Sequence, residues 1–303
     1  MIDLPDHFIR TVTTAYADGA SWLQQLPDLI EERARIWSLK VEPPFSNLSY
    51  NYVAPATRSD GTEVVLKLGP PNDELSSEME ALRLYDGCGA ARLLECDPDA
   101  GALLECRIRP GVMLAALEDD EEATSVAGDI MRRLWRPLAS GHKFPTLARW
   151  FASLTEFRGK WGGGTGPLPV RLVEEAEALF SELYSSQTEP VLLHGDLHHY
   201  NVLRAAGTSW LAIDPKGIYG ECAFDIGQFL LNPFGLLERP EPARIFARRI
   251  NQFADELNLD RERIRGWALA KTVLSACWAV EDGADMTNHD DLACAEILSA
   301  IAL

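Results

Sequence analysis

The sequence is short of positive charge. Its 303 residues include 28 lysines and arginines against 46 aspartates and glutamates, a formal net charge of −18 with the histidines neutral. Such a chain would be repelled by a nucleic acid or an anionic membrane, so we expect neither as a partner, and no protein partner is indicated. A cationic small molecule would be attracted, although a merely acidic surface explains the charge as well.

Paired cysteines and long apolar runs are also missing. The six cysteines show no Cys-x-x-Cys spacing and no compact framework, which argues against disulfides and a cysteine zinc site and favours reduced thiols. No stretch approaches the roughly 18 consecutive apolar residues of a membrane span. The first ten residues, MIDLPDHFIR, lack a signal-peptide pattern. We therefore expect a cytoplasmic protein.

What is present is a polar loop between two short apolar strands. Residues 191–217 read VLLHGDLHHYNVLRAAGTSWLAIDPKG, with Asp196 after the first strand, Asn201 five residues later, and Asp214 ending a second strand over residues 210–213. This pattern is typical of phosphoryl transfer on a kinase-like scaffold. The chemistry needs a carboxylate near the attacking hydroxyl and oxygen ligands for Mg²⁺. We therefore predict Asp196 as the catalytic residue, and Asn201 and Asp214 as the metal ligands.

A small antiparallel sheet is predicted before this loop. Two strand-like runs, residues 50–54 and 63–68, flank an Asp-Gly turn, which is a good hairpin signal. The second run, EVVLKL, places Lys67 among alternating apolar residues. A helix is predicted over residues 73–86, and a second hairpin over residues 92–105 around the turn CDPDAG.

Helices are predicted on both sides of these elements. An apolar stripe spans residues 8–40 despite Gly19 and Pro27, and further stripes lie between residues 112 and 188 and over 240–257, 260–282 and 289–301. The order predicts an α+β protein with two lobes. We divide it into a helical leader (1–44), an N-lobe with the sheet and one helix (45–106), and a helical C-lobe (107–303). The cleft between the lobes is the expected ligand site.

The motifs HGDLHHYN and IDPKG resemble those of the aminoglycoside phosphotransferase family, a branch of the kinase-like superfamily. Within it, the doubled His and the DPKG run resemble the streptomycin 6-kinase and hydroxyurea-type resistance kinases, and the likeness extends from about residue 64 to about residue 283. The resemblance implies a two-lobed protein-kinase-like fold, ATP and Mg²⁺, and phosphate transfer to a hydroxyl of an aminoglycoside such as streptomycin. Alternatives are a kinase of this fold for hydroxyurea or another small metabolite, and a nucleotide-binding module without catalysis.

The kinase arrangement also gives Lys67 a role. A strand lysine holds the α- and β-phosphates and pairs with a glutamate of the following helix, where Glu78 and Glu80 are the candidates. The resemblance favours Glu78, because the family places this glutamate four residues before a leucine, here Leu82. A solvated surface lysine is the alternative for Lys67 considered alone.

Two further segments are expected on the nucleotide. The segment FSNLSYNY lacks the glycines of a kinase phosphate loop, so backbone amides and the hydroxyls of Ser46 or Ser49 would cover the phosphates. The resemblance places adenine against the backbone of a hinge at Glu105, Cys106 and Arg107, where a plain strand-to-helix linker is the alternative.

Acceptor residues are expected in the C-lobe, where the resembled family uses carboxylates to bind cationic aminoglycosides. A solvated acidic helix end explains the acidic candidates equally well. Lys216, two residues after Asp214, could reach a phosphate oxygen, and a surface lysine explains it as well. The candidates are Lys216, Glu221, Trp278, Glu281, Asp282 and Asp285.

The histidines allow another reading, because His194, His198 and His199 with Asp196 could bind zinc. They lack a helical His-x-x-x-His spacing with a glutamate between, so we favour a structural His194 that holds the catalytic loop. His198 and His199 are expected at the cleft edge or the surface. The resemblance implies that Asp225 bonds the catalytic-loop backbone and not a ligand.

Overall fold

The structure, a computed structural model, describes residues 4–287 and 289–303. It divides into two compact units, Met1–Gly111 and Val112–Leu303. The division falls just beyond the predicted hinge at residues 105–107. The first unit contains both the predicted leader and the N-lobe sheet. The predicted division between them at residue 44 remains a proposal.

An antiparallel sheet forms the centre of the first unit. Its five strands follow the order β1-β2-β3-β5-β4. In β3, Val64, Leu66 and Leu68 are fully buried, so alternate side chains face one core, as the pattern EVVLKL predicts. Lys67 points to the opposite face, where it lies across from Leu103 of β5. The strands are β1 (Leu39–Val41), β2 (Tyr52–Arg58), β3 (Glu63–Leu68), β4 (Leu93–Asp97) and β5 (Ala102–Cys106).

Two helices, α1 (Asp6–Ala15) and α2 (Gly19–Ile36), share a core with this sheet. Pro27 lies inside α2 without ending it, because Trp22, Leu26 and Ile30 are buried at four-residue spacing around it. Burial of three large side chains contributes about 2 kcal/mol each, which outweighs the cost of about 3 kcal/mol for a proline in a helix. The predicted helical stripe ends at Ile36, and an edge strand, β1, follows.

Helix α3 (Asp73–Tyr85) lies between the two hairpins. The side chain of Asn72 caps it by accepting a hydrogen bond from the Leu75 N–H at 2.8 Å. Its buried face includes Met79, Leu82 and Glu78, so a carboxylate is carried into the interior of the unit.

The second unit contains seven helices within the described residues. The longest, α9, packs against α5, α6, α7, α8 and α10 and is buried along most of its length. The helices are α4 (Asp120–Leu134), α5 (Leu147–Lys160), α6 (Val170–Ser185), α7 (Cys222–Leu230), α8 (Pro242–Leu257), α9 (Arg261–Glu281) and α10 (Asp290–Ala300). Helix α7 was not predicted, because a nine-residue helix buried on nearly every side shows no amphipathic stripe.

Four short strands interrupt these helices. Strand β6 (Val191–Leu193) pairs with β9 (Ile218–Gly220), and β7 (Val202–Arg204) pairs with β8 (Trp210–Ala212). The sequence predicted β6 and β8 but not their partners. The pairing places residues 194–201 between β6 and β7, and residues 213–217 between β8 and β9. The predicted α+β class, with a small antiparallel sheet followed by a larger helical part, is confirmed. Each helix in the described residues is too short or too polar to pass through a bilayer.

Candidate active site

The backbone before Asp196 is fixed by a buried carboxylate. Asp225, in the first turn of α7, accepts hydrogen bonds from the N–H of His194 at 3.0 Å and of Gly195 at 2.6 Å. The indole N–H of Trp135 donates to the same carboxylate at 3.0 Å. Burial raises the pKa of Asp225, and these donors oppose that rise. Asp225 thus has the backbone-holding role that the family resemblance implied.

A buried lysine holds the carbonyl group of the same residue, Gly195, in the next peptide unit. Lys271 of α9 is 2% exposed, and its Nζ donates to the carbonyl oxygen of Gly195 at 2.6 Å. Burial lowers the pKa of Lys271 to about 8, while the nearby carboxylates of Asp196 and Asp225 act in the opposite direction. Lys271 was not predicted from the sequence. Its signal was a lysine inside the apolar run WALAKTVLSA, an uncommon position for this residue.

His194 connects the two loops of the site. Its Nε2 donates to the carbonyl oxygen of Ile213 at 2.9 Å, and its Nδ1 accepts from the Asp196 N–H at 3.2 Å, so these partners assign the neutral Nε2–H tautomer. Burial lowers the pKa of His194 to about 3, which keeps the ring neutral. Its own carbonyl accepts from the Lys216 N–H at 2.7 Å. The structural role predicted for His194 is therefore present.

Asn201 is tied to both loops as well. Its Nδ2 donates to the backbone oxygen of Asp196 at 3.1 Å, and its own carbonyl accepts from the Ile213 N–H at 2.9 Å. Because the amide nitrogen is used in this way, Oδ1 is the atom that remains as an oxygen ligand. Asp214 directly follows Ile213 with φ of +58°, a left-handed conformation that aspartate tolerates.

One amide oxygen and one carboxylate fit Mg²⁺, which usually takes few protein ligands and completes its shell with water and substrate phosphates. A zinc site would need more protein ligands than these two. Among residues 4–287 and 289–303, no group of three or more His, Cys, Asp or Glu side chains could hold a metal ion. The donor set of Asn201 and Asp214 therefore favours magnesium over the zinc alternative.

The expectation for His199 was wrong. The side chain is 2% exposed and stacks on Phe229, with ring centroids 4.0 Å apart. Neither ring nitrogen has a hydrogen-bond partner within the described residues, and burial lowers the pKa of His199 to about 2. The loop between β6 and β7 packs this residue against α7, whose position the sequence did not predict. His198 is half-buried, and its Nδ1 accepts from the Tyr200 N–H at 3.2 Å.

In the first unit, Lys67 and Glu78 form a buried ion pair. The Nζ of Lys67 donates to the two carboxylate oxygens of Glu78 at 2.6 and 2.8 Å, and both side chains are less than a tenth exposed. Glu80, the other candidate, pairs with Arg83 on the exposed side of α3. The predicted pairing is present, and its role toward a nucleotide stays a prediction.

The other expected nucleotide residues lie at the end of β5 and in the loop before β2. Glu105 is buried across from Val65, and the N–H of Cys106 donates to the Arg92 carbonyl at 2.9 Å. Arg107 lies 3.7 Å from a carboxylate oxygen of Glu63. The hydroxyl-bearing residues of the glycine-free loop, Ser46 and Ser49, are exposed.

The acceptor candidates fall into separate places. Both oxygens of Glu221 accept from the guanidinium of Arg263, at 2.5 and 2.6 Å, and the indole of Trp267 also donates to this carboxylate at 3.0 Å. Trp278 and Glu281 lie at the far end of α9, about 16 Å and about 21 Å from Trp267 by helix rise. The carboxylate of Glu221 is thus engaged within the fold, apart from the other acidic candidates.

At the far end of α9 the candidates are closer to one another. Trp278 contacts Trp150 edge-on with ring centroids 5.3 Å apart, and Glu281 pairs with the exposed Lys160 at 2.7 Å. Asp282 directly follows the helix, and Asp285 accepts from the Thr287 N–H at 2.9 Å. Lys216 is half-buried, two residues beyond Asp214.

Known proteins resemble the chain over most of its length. The model of a family described as aminoglycoside/hydroxyurea antibiotic resistance kinase matches residues 38–283. Streptomycin 6-kinase of Streptomyces glaucescens is 30% identical over 295 residues, which cover 93% of this chain and 92% of the relative. Hydroxyurea phosphotransferase of Kitasatospora aureofaciens is 33% identical over 287 residues, covering 93% and 81%.

A solved structure shares the fold. A thermostable mutant of the aminoglycoside phosphotransferase APH(4)-Ia, in a ternary complex with ADP and hygromycin B, aligns with a TM-score of 0.61 at 16% identity, over 89% of this chain and 96% of that one. Identity at this level concerns the fold alone. The family match and the relatives carry the assignment, and they agree with the kinase-like motifs. The chain therefore belongs to the aminoglycoside/hydroxyurea antibiotic resistance kinase family and is a phosphotransferase of the kinase-like fold.

Proposed function

We propose that the protein transfers the γ-phosphate of ATP, with Mg²⁺, to a hydroxyl of a cationic aminoglycoside such as streptomycin. The observation that carries this proposal is the fixed position of Asp196. The N–H and the C=O of Gly195 are held by Asp225 and Lys271, and the N–H of Asp196 is held by His194. A relative named streptomycin 6-kinase and the formal charge of −18, which favours a cationic acceptor, support it further.

Asp196 is the group that meets the acceptor in this mechanism. Its carboxylate accepts a hydrogen bond from the attacking hydroxyl and takes the proton late, since phosphoryl transfer has a loose transition state. The acceptor oxygen forms a bond to the γ-phosphorus, and the bond to the leaving oxygen breaks with its electron pair remaining on ADP. Because positioning supplies most of this catalysis, a backbone held at both the N–H and the C=O of Gly195, the residue before Asp196, is suited to it.

The remaining residues act on the nucleotide and the metal. Lys67, oriented by Glu78, would contact the α- and β-phosphates, and the segments containing Ser46, Ser49 and residues 105–107 would complete the nucleotide site. Asn201 Oδ1 and the Asp214 carboxylate would hold Mg²⁺, which supplies neutralisation of phosphate charge when bound. A neighbour of this fold was solved with ADP, which supports a nucleotide substrate.

Hydroxyurea is a second candidate acceptor, because a relative named hydroxyurea phosphotransferase is 33% identical. Both candidates use the same Asp196 chemistry and differ in the acceptor alone. We place either reaction in the cytoplasm, where ATP is supplied and the six free cysteines remain reduced.

The test is Mg²⁺-dependent ADP release with streptomycin, other aminoglycosides, hydroxyurea and simple amino alcohols, with mass spectrometry of the products. Asp196→Asn should lower turnover by at least about 10³-fold while MgATP affinity stays within about twofold. Asp129→Asn, on the exposed side of α4, is the matched control and should behave as wild type.

Phosphorylated streptomycin that is lost with Asp196→Asn supports the proposal. Turnover with hydroxyurea alone selects the second candidate. MgATP binding without ADP release on any acceptor favours a non-catalytic module. Wild-type turnover by Asp196→Asn contradicts the role given to this carboxylate.

A further inference from the structure

Phe234 is an exposed ring in a well-held loop. Within the described residues it is 80% exposed, against 56% for Val170, the next most exposed of the large apolar side chains. An apolar ring left in water forgoes the free energy of burial, so a loop free to move would turn it inward. A single exposed apolar residue is ordinary. The loop that carries Phe234 is, however, held by hydrogen bonds on two sides.

Hydrogen bonds with α8 and α7 hold the loop that carries Phe234. The carbonyl oxygen of Asn232 accepts from Nη1 of Arg249 at 2.6 Å, and the amide of Asn232 donates to the Gln228 carbonyl at 3.0 Å. Arg249 is itself fully buried and pairs with Asp120 at 2.5 Å. A buried, charge-assisted network therefore fixes the backbone two residues before Phe234.

The ring is also fixed from the side of the catalytic loop. The N–H of Phe234 donates to the hydroxyl oxygen of Tyr200 at 3.1 Å, and the two rings lie with centroids 5.0 Å apart and planes tilted by 32°. Tyr200 in turn meets His198 edge-on, with centroids 5.8 Å apart. We call these three residues, His198, Tyr200 and Phe234, the aromatic row.

One end of the aromatic row lies in the loop that carries Asp196. Tyr200 directly precedes Asn201, whose amide donates to the backbone oxygen of Asp196. His198 lies two residues after Asp196, and its Nδ1 accepts a hydrogen bond, so that nitrogen carries no proton. The aromatic row thus runs from the reacting carboxylate's loop to a solvent-facing phenyl ring.

The chemistry of the row selects its ligand. Neutral aromatic faces attract cations through the ring quadrupole, and planar guanidinium groups also stack on them. The chain's charge of −18 brings cations to the surface. To contact Phe234 while its hydroxyl reacts at Asp196, an acceptor must extend along the aromatic row.

We propose that the aromatic row binds a guanidinium or ammonium group of the acceptor, at a distance from its reacting hydroxyl. The inference rests on the proposed function and names the specificity site of that reaction. Tyr200 contributes a ring face and also, through its hydroxyl, sets the position of Phe234. The row therefore favours an extended cationic acceptor over a small neutral one.

The test uses the full chain with Mg²⁺ and the non-hydrolysable analogue AMP-PNP, and streptomycin as the probe in calorimetric titrations. Phe234→Ala should weaken streptomycin binding about tenfold, Phe234→Leu about as much, and Phe234→Tyr less than about twofold, because only tyrosine keeps the ring face. The KM for streptomycin should rise in parallel, while kcat stays within about threefold. Val170→Ala, a change at another exposed apolar residue, should leave both values unchanged.

Retained streptomycin affinity in Phe234→Ala overturns the proposal, as does a Phe234→Leu variant that binds as well as Phe234→Tyr, since apolar contact alone would then suffice. These results leave the proposed function intact if the wild type phosphorylates streptomycin. A wild type that neither binds nor phosphorylates streptomycin or any other aminoglycoside overturns both proposals together. Tyr200→Phe gives a second check, since loss of the hydroxyl anchor should weaken binding while a ring face remains.

Discussion

The Nζ of Lys271 donates to the carbonyl oxygen of Gly195 at 2.6 Å, while the N–H of Gly195 donates to Asp225 at the same distance. One residue of the catalytic loop is therefore held by a buried cation from α9 and a buried anion from α7. Neither charge contacts a nucleotide or acceptor in the proposed mechanism. Both act by positioning Asp196.

Removal of the Lys271 charge should destabilise the second unit. Lys271→Met leaves the carbonyl oxygen of Gly195 without this donor and leaves the carboxylate of Asp225 buried without a nearby cation, which should cost about 3 kcal/mol. Lys160→Met is the matched control, because Lys160 is exposed in its pair with Glu281 and should cost less than about 1 kcal/mol. Urea unfolding without ligands measures both. Equal midpoints for the two variants would show that the buried contact contributes no stability.

The Lys67 pair predicts a difference between neighbouring glutamates. Glu78→Gln removes the charge that orients Lys67 and should weaken MgATP binding about tenfold. Glu80→Gln changes an exposed partner of Arg83 on the same helix and should leave MgATP affinity unchanged. Fluorescence titration with a labelled nucleotide analogue gives both values. If the two variants are alike, the Glu78 pair has no part in nucleotide binding.

Acid should unfold the protein partly through its buried histidines. The pKa of His199 is lowered to about 2 and that of His194 to about 3, so the unfolded chain binds more protons than the folded chain as the pH falls below about 6.5. Stability from these residues is complete above that pH and is lost as the pH falls toward the folded values. Each contributes a loss of roughly 1 kcal/mol by pH 5.5.

His199→Phe keeps the stack on Phe229 and removes the two nitrogens, so it should reduce the loss of stability between pH 7.5 and 5.5 by roughly 1 kcal/mol. Urea midpoints in metal-free buffer across this pH range give the comparison. A His199→Phe variant as acid-sensitive as the wild type would mean that protonation of this ring does not drive the loss.

Substitutions of Glu221 and Glu281 should distinguish a structural role of each carboxylate from a role in acceptor binding. Glu221→Gln weakens two charge-assisted bonds from Arg263 and should lower the free energy of unfolding by about 2 kcal/mol without a specific rise in the acceptor KM. Glu281→Gln at the exposed end of α9 should be nearly neutral for stability. Thermal unfolding and acceptor kinetics on both variants decide this. A raised acceptor KM with unchanged stability for Glu221→Gln would restore it as a substrate residue.

The sequence was sufficient to predict features that depend on residues close together in the chain. The strand alternation around Lys67, the four-residue helix spacing and the motif with Asp196, Asn201 and Asp214 all lie within short windows. Periodicity and known motif chemistry read such windows directly. The α+β fold class followed from them, whereas the choice of Glu78 over Glu80 as the partner of Lys67 came from the family resemblance.

Contacts between distant segments were beyond that reading. Lys271 meets Gly195 across 76 positions, and the donors on Asp225 come from two separate segments, Trp135 and residues 194–195. His199 was misplaced because its neighbour Phe229 belongs to α7, a helix without an apolar stripe. A residue's partner across the fold depends on tertiary packing, which a single sequence pattern does not encode.

The bond from α9 to the catalytic loop also limits how this enzyme can be recombined with its relatives. A chimaera that exchanges the C-terminal segment must be joined beyond Lys271, so that this lysine stays with the loop it supports, or must import a lysine at the same helical position. Trp278 and the acidic end of α9 lie beyond that point and would come from the relative. The graft point for engineering is thus set by one side chain in the middle of a helix.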